Sequence, residues 1–134
     1  MKHDSVLTLH GRVIRAGQAS GLALVSPAPI GFLGGVDPDT GVIIEPNHTL
    51  RGECVADRVL VFPTGKGSTV GSYTILRLAK SGKAPVAMIN RESEAIVAVG
   101  AIIGDIPMVD QIDISIIHSC DRLHLDCCVL TIDL

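Results

Sequence analysis

Apolar and polar residues alternate loosely over Val6 to Val13, and Leu22 to Val25 is nearly continuous in apolar side chains; both stretches predict strands. Gly17 and Gly21 bracket Gln18-Ala19-Ser20, which predicts a turn between them. Val59 to Phe62 is a short β-branched run predicting a buried strand, ended by Pro63, which has no N–H to give a ladder. Ile75, Leu76, Leu78 and Ala79 then recur at helical spacing, with Lys80 in the last turn and Gly82 as a stop. Pro85 to Asn90 predicts a second buried strand, parallel to the first if the connection is the usual crossover. A second helix of Ala, Ile and Val follows from Glu94 to about Gly100, opened by Ser93 or by Arg91-Glu92, with Ile102 to Asp105 bending out of it. Val42 to Glu45, Pro107 to Asp110, Ile112 to Ile117, Arg122 to Asp126 and Cys128 to Leu134 complete the strands.

Two irregular stretches interrupt this pattern, Ser26 to Gly41 and Pro46 to Glu53. A loop of about 16 residues without structure of its own is uncommon in a compact domain and points to function. Phe32 and Leu33 stand alone in it as large apolar residues, so they either plug the core or face a partner. Many short strands, two main helices and no repeat predict a single α/β domain over residues 1–134. Its architecture is a layered β/β/α arrangement with a mixed sheet, and a doubly wound Rossmann fold does not fit.

The segment after Phe62 carries the candidate chemistry. Gly65, Gly67 and Gly71 interleave with Lys66, Ser68, Thr69 and Ser72 between a strand and a helix. Backbone amides and the positive end of a helix dipole converge there, with the hydroxyl of Ser68 or Thr69 where the helix begins. One reading is an ordinary βα turn with a Ser or Thr N-cap. A second, the phosphate loop Gly-x-x-x-x-Gly-Lys-Ser/Thr, fails: Gly67 follows Lys66, and Leu60 stands where the first glycine is required. A third is an active-site loop in which Ser68 reacts or grips an anion. Acyl transfer is not indicated, because Gly67 to Gly71 is not a nucleophile elbow and no Ser-His-Asp spacing surrounds it.

Composition narrows the field. A net charge of −3 gives no basic footprint for nucleic acid, and no Trp, one Tyr and two Phe leave little for bases to stack on. The longest apolar stretch, Ala95 to Gly104, is half the ~20 residues that span a bilayer, and the first ten residues have no signal-peptide core, so a cytoplasmic protein is expected. Cys54, Cys120, Cys127 and Cys128 contain no Cys-x-x-Cys pair, and Cys127 and Cys128 in a strand point to opposite faces. His118, Cys120, His124 and Cys127 match no usual zinc spacing, so no metal site is expected on this chain. With only 19% charged residues, an apolar face for a partner is also expected.

Longer motifs carry a resemblance. Gly11-Arg12, Gly17 to Gly21, Phe32 to Gly41, Leu60 to Ser72 and Ala84 to Ile89 together resemble the small, swivel-domain subunit of the aconitase-X family over roughly residues 10 to 110. The resemblance implies a swivelling β/β/α fold and a heterodimer with a large subunit that carries a [4Fe–4S] cluster and most of the substrate site. It implies Ser68 as the acceptor of the proton α to a carboxylate, with Lys66, Gly67 and Thr69 as candidate substrate-binding residues. The Ser68 to Tyr73 wording is most similar to members that dehydrate (R)-5-phosphomevalonate to trans-anhydromevalonate 5-phosphate in an archaeal-type isoprenoid route. Members acting on hydroxyproline more often read Ser-Ser-Ser-Gly-Ser there, and a hydroxyproline dehydratase subunit or an anion-binding scaffold module are the competing readings. One departure stands out: the family usually has Ser before Phe32, where this chain has Gly31.

Overall fold

The structure, a computed structural model, describes residues 6–133. Strands β1 (Val6–His10), β2 (Arg12–Arg15), β3 (Gln18–Val25), β4 (Val59–Phe62), β5 (Ala87–Asn90), β6 (Met108–Asp110), β7 (Arg122–Asp126) and β8 (Val129–Asp133) pair in the order β1-β8-β7-β3-β4-β5-β6-β2. Helices α1 (Gly71–Lys80) and α2 (Ala95–Ile103) fill the β4–β5 and β5–β6 crossovers, so β3, β4, β5 and β6 run parallel. The other pairings are antiparallel.

Strand β3 belongs to both halves of the sheet. Its first part, Gln18 to Leu22, pairs with β7, and its last part, Ala23 to Val25, pairs with β4. β1 and β2, consecutive in the chain, lie at opposite ends of the strand order, so the sheet folds into two layers joined at β3 and at Gly11. A Cβ at Gly11 would sit 2.4 Å from Val109 Cγ2 and 2.5 Å from the Asp110 carbonyl, so only glycine fits the crossing.

The period-two pattern of β4 and β5 decides what lies between the layers. Val59, Val61, Ala87 and Ile89 point one way and meet Leu123, Leu125, Leu130 and Ile132 of the antiparallel layer. Leu60, Phe62 and Met88 point the other way and meet Ile75 and Leu78 of α1 and Val97 and Ala101 of α2. Both faces of the parallel strands are therefore buried, which is why they read as continuous apolar runs. The Ser26–Gly41 loop joins the second core through Ile30, Phe32 and Val36, and Phe32 packs edge-on against Phe62 with ring centroids 6.0 Å apart. Of the two apolar residues singled out in that loop, Phe32 plugs the core and Leu33 faces solvent.

Several local expectations are corrected. Gln18-Ala19-Ser20 is not a turn but the start of β3; its polar residues mark an exposed face, where Ser20 Oγ lies 2.8 Å from His124 Nδ1. The Val6–Val13 stretch is split at Gly11. Val42 to Glu45 forms only single bridges, Val42 to Cys54 and Ile43 to Val36. Ile112 to Ile117 is not a strand: Asp113 accepts a hydrogen bond from Ser115 N–H and starts a 3-10 turn over Ile114–Ile116. Cys127 and Cys128 form the β7–β8 hairpin turn, with Cys127 at φ +53°, and β8 begins at Val129; Leu134 lies outside the described residues. Helix α2 continues to Ile103, beyond its expected end near Gly100.

Candidate functional site

Parallel strands deliver their connecting loops to one end of the sheet, and the Pro63–Val70 segment is the loop that leaves β4 there. It is clamped from two sides. Ile30 N–H donates to the Thr64 carbonyl at 3.2 Å and Lys66 N–H donates to the Ile30 carbonyl at 3.1 Å, a short parallel bridge to the long Ser26–Gly41 loop. On the other side, Gly65 presses against the start of α2. A Cβ there would lie 2.4 Å from both Glu94 Oε1 and Val97 Cγ2. Glu94 is the N-cap of α2, its carboxylate accepting from Ile96 N–H and Val97 N–H at 2.9 and 2.8 Å. The sequence placed this helix start at Ser93 or Arg91-Glu92, because Glu is an uncommon cap.

Beyond the clamp, Gly67 sits at φ +94°, a left-handed conformation that turns the chain outward. Lys66, Gly67, Ser68 and Thr69 are all exposed, so all four predicted site residues share one projecting turn. The expected hydroxyl N-cap is corrected. Val70 occupies the cap position of α1 with no side-chain bond, and the Ser68 hydroxyl instead accepts from Val70 N–H at 3.2 Å. The next amides, of Gly71, Ser72 and Tyr73, are taken by the carbonyls of Ser68, Thr69 and Val70. Ser68 thus stands two residues before the cap, held by one amide and open to an incoming group.

Lys66 is paired: its Nζ lies 3.0 Å from Glu45 Oε2, and Glu45 is fixed by its own N–H to the Gly35 carbonyl. Glu45 was not singled out in the sequence, where nothing marks an acidic residue at the end of a loop as the counter-charge of a lysine 21 positions on. Gly31 packs beneath this group. A Cβ at Gly31 would be 3.3 Å from the Lys66 carbonyl, so the serine usual in the family would stand against the backbone of the Ser68 turn.

Two further polar groups support the loops. His48, within the second irregular stretch, is buried. Its Nδ1 accepts from Leu50 N–H at 3.0 Å, which leaves the proton on Nε2, 3.3 Å from Ser26 Oγ. Ser26 in turn donates to the Ala28 carbonyl at 2.6 Å. Every polar atom of this pair is occupied, so the Ser-His contact braces the loops and has no lone pair free for catalysis. Asp110, at the end of β6, is fully buried and accepts from Arg12 Nε and Nη2 and from both the N–H and the hydroxyl of Ser93, at 2.8–3.0 Å. Burial pushes the Asp110 carboxyl up, but the hydrogen bonds from Arg12 and Ser93 and the charge of Arg12 outweigh it and hold the group below the usual carboxylate range. This knot fixes the approach to α2, and hence the wall against which Gly65 rests.

Among the described residues no group of three or more His, Cys, Asp or Glu is placed to hold a metal ion. Cys54 stands beside the Thr40 carbonyl, while Cys120, Cys127 and Cys128 lie in turns of the antiparallel layer. The residues present do not fit an iron–sulfur cluster, which requires convergent thiolates.

Two β layers and one α layer, sharing β3 and presenting a single glycine-rich turn, define a swivel-type β/β/α domain. The sequence profile of the aconitase X swivel domain matches residues 8–129, and the chain belongs to that family. It is 56% identical over 120 residues to the phosphomevalonate dehydratase small subunit of Thermococcus sibiricus, covering 90% of this chain and 92% of that one. Against the subunit of the same name from Methanococcoides burtonii it is 53% identical over 118 residues, 86% of each chain. The crystal structure of Thermococcus kodakaraensis aconitase X in its holo form superposes with a TM-score of 0.92 at 48% identity, covering 94% of this chain and 98% of that one. A solution NMR structure of a UPF0107 protein superposes at 0.85 with 43% identity, covering 92% and 97%.

Proposed function

We propose that this chain is the small subunit of a heterodimeric iron–sulfur hydro-lyase that dehydrates (R)-5-phosphomevalonate to trans-anhydromevalonate 5-phosphate. The observation that carries the substrate is the identity, above one half and nearly end to end, to small subunits named for that dehydration. The described residues offer no set of thiolates, so the cluster is assigned to the large subunit, where it would supply Lewis-acid chemistry.

Ser68 is the proton acceptor. Its Oγ, reacting as the alkoxide, takes the proton lost from the carbon α to the carboxylate and returns to the neutral hydroxyl. The electron pair of that C–H bond becomes the C=C π bond, and the β hydroxyl leaves as hydroxide with the C–O bonding pair. A neutral hydroxyl is a poor base, and the α1 terminus contributes at most about 2 kcal/mol, or ~1.5 pKa units. The nearest lysine, Lys66, is already matched by Glu45. The remaining positive potential must come from the large subunit, so the small chain alone is inert. Lys66, with Gly67 and Thr69 beside it on the same exposed turn, is the residue we assign to meet the substrate's phosphate as a point charge.

The test is reconstitution with the large subunit of the same organism, offering (R)-5-phosphomevalonate and cis-3-hydroxyproline in parallel. Ser68→Ala is expected to lose about 10²–10⁴ in kcat, the usual worth of a positioned base. Near wild-type turnover by that variant overturns the assignment of Ser68, and turnover of hydroxyproline alone overturns the substrate.

A further inference from the structure

Helix α2 reads Ala-Ile-Val-Ala-Val-Gly-Ala-Ile-Ile from Ala95 to Ile103, without one polar side chain. A helix apolar all round belongs in an interior. Here only Val97, Gly100 and Ala101 are buried against the sheet, while Val99 is 47% and Ile102 52% exposed. Tyr73, on the facing side of α1, is 64% exposed. Between the helices runs an open groove of ≈ 480 Å³ whose walls include Thr69, Tyr73, Leu76, Ile96, Val99 and Ile103. At its upper end Val70 is half exposed, and the backbone of Leu33 lies 3.7 Å from where a Cβ on Gly71 would stand, which continues the apolar surface across the start of α1.

We infer that this α1/α2 groove is the docking face for the large subunit. The inference rests on the functional reading above, and continuity with the reacting group selects the occupant. Thr69 lines the groove and is the next residue after Ser68. Whatever brings a substrate carbon within a hydrogen bond of Ser68 Oγ must also come up against Thr69 and Tyr73. The first wall it meets beyond the turn is this apolar strip. The partner is therefore predicted to offer an apolar surface bordering its substrate site, wide enough to cover Val99 and Ile103.

Titration of the small chain into a fixed amount of large subunit, with dehydration as the readout, tests this. Val99→Glu and Ile103→Glu stand on the exposed face, and unchanged circular dichroism and melting temperature show that each still folds. Each is expected to raise the small-chain concentration for half-maximal activity at least tenfold while leaving the plateau rate within about twofold. Saturation at the wild-type concentration by both variants overturns the inference. So does light scattering that finds the free chain to be a dimer broken by Val99→Glu while the titration is unmoved. A wild-type pair that neither associates nor turns over sinks the functional reading, and this inference with it.

Discussion

Replacing Gly65 by alanine adds one methyl group at the point where the Ser68 turn meets α2. Gly65 has no left-handed φ, so backbone strain does not enter, and the whole cost is steric. The new Cβ would lie 2.4 Å from Glu94 Oε1 and from Val97 Cγ2, where about 3.5–4 Å is needed. A long acidic side chain could normally swing away. This one is committed to Ile96 N–H and Val97 N–H, and losing a cap costs about 1 kcal/mol. Val97 is β-branched and stiff at χ1, so relieving the second clash moves the helix or the loop, at about 1–3 kcal/mol. The reduced entropy of the unfolded chain returns about 0.4–1 kcal/mol. The net is about 1–3.5 kcal/mol, or a fall in Tm of roughly 4–15 °C for a domain of this size. Thermal unfolding of the isolated chain measures it. In a Glu94→Ala background the cap is already gone, so Gly65→Ala is expected to cost about 1 kcal/mol less there. A Tm within 2 °C of wild type, or strict additivity of the two changes, would refute the account of the clamp.

Asp110→Asn removes the charge that Arg12 and Ser93 share and is expected to destabilise the chain at pH 7 by about 1–3 kcal/mol. Because the folded carboxyl titrates below its unfolded value near 4, this contribution is full above that pH and fades as pH falls through the folded value. Urea unfolding at pH 7 and pH 3 should show the gap between wild type and Asp110→Asn closing in acid; a gap independent of pH would contradict the sign. Glu45→Gln frees Lys66 at under about 1 kcal/mol of stability, since the pair is half exposed. The reconstituted Glu45→Gln enzyme should bind the phosphorylated substrate more tightly, with KM lowered about two- to fivefold and kcat little changed; a raised KM would make Glu45 itself a substrate contact.

The parallel half of the fold was legible because burial on both faces writes an unbroken apolar run, as in β4 and β5, and because α1 keeps a helical period. The antiparallel half was read less well for reasons visible in the residues. The outer face of β3 places Gln18 and Ser20 where a turn would also place polar residues, and Gly21 sits inside the ladder opposite Leu123. Ile112 to Ile117 is as β-branched as any strand, yet one short carboxylate at Asp113 bends it into a 3-10 turn. The glycine-rich turn was found in the sequence because glycine at such density has few other uses. Its counterparts were not, because Glu45, Glu94 and Asp110 act through contacts made 20 or more residues away, or as a cap of an unusual type. The break between β1 and β2 was equally hidden, since the Gly11 requirement comes from Val109, at the far end of the chain.

With Ser68 as the proposed proton acceptor, the geometry divides the labour of the reaction in a particular way. This chain fixes where a hydroxyl stands. Backbone bonds to Ile30 hold one side of the turn, the capped start of α2 holds the other, and neither depends on a mobile side chain. It does little to make that hydroxyl basic, because the Ser68 oxygen receives one amide and the adjacent lysine is already neutralised. If the apolar strip beside Thr69 docks on the large subunit, one event both removes water from Ser68 and brings up the missing positive charge. A water-excluded site strengthens every such interaction relative to the exposed turn. Basicity is then a property of the assembled pair, and variants that weaken docking without touching the turn should lose activity through occupancy, with the chemistry of each complex intact.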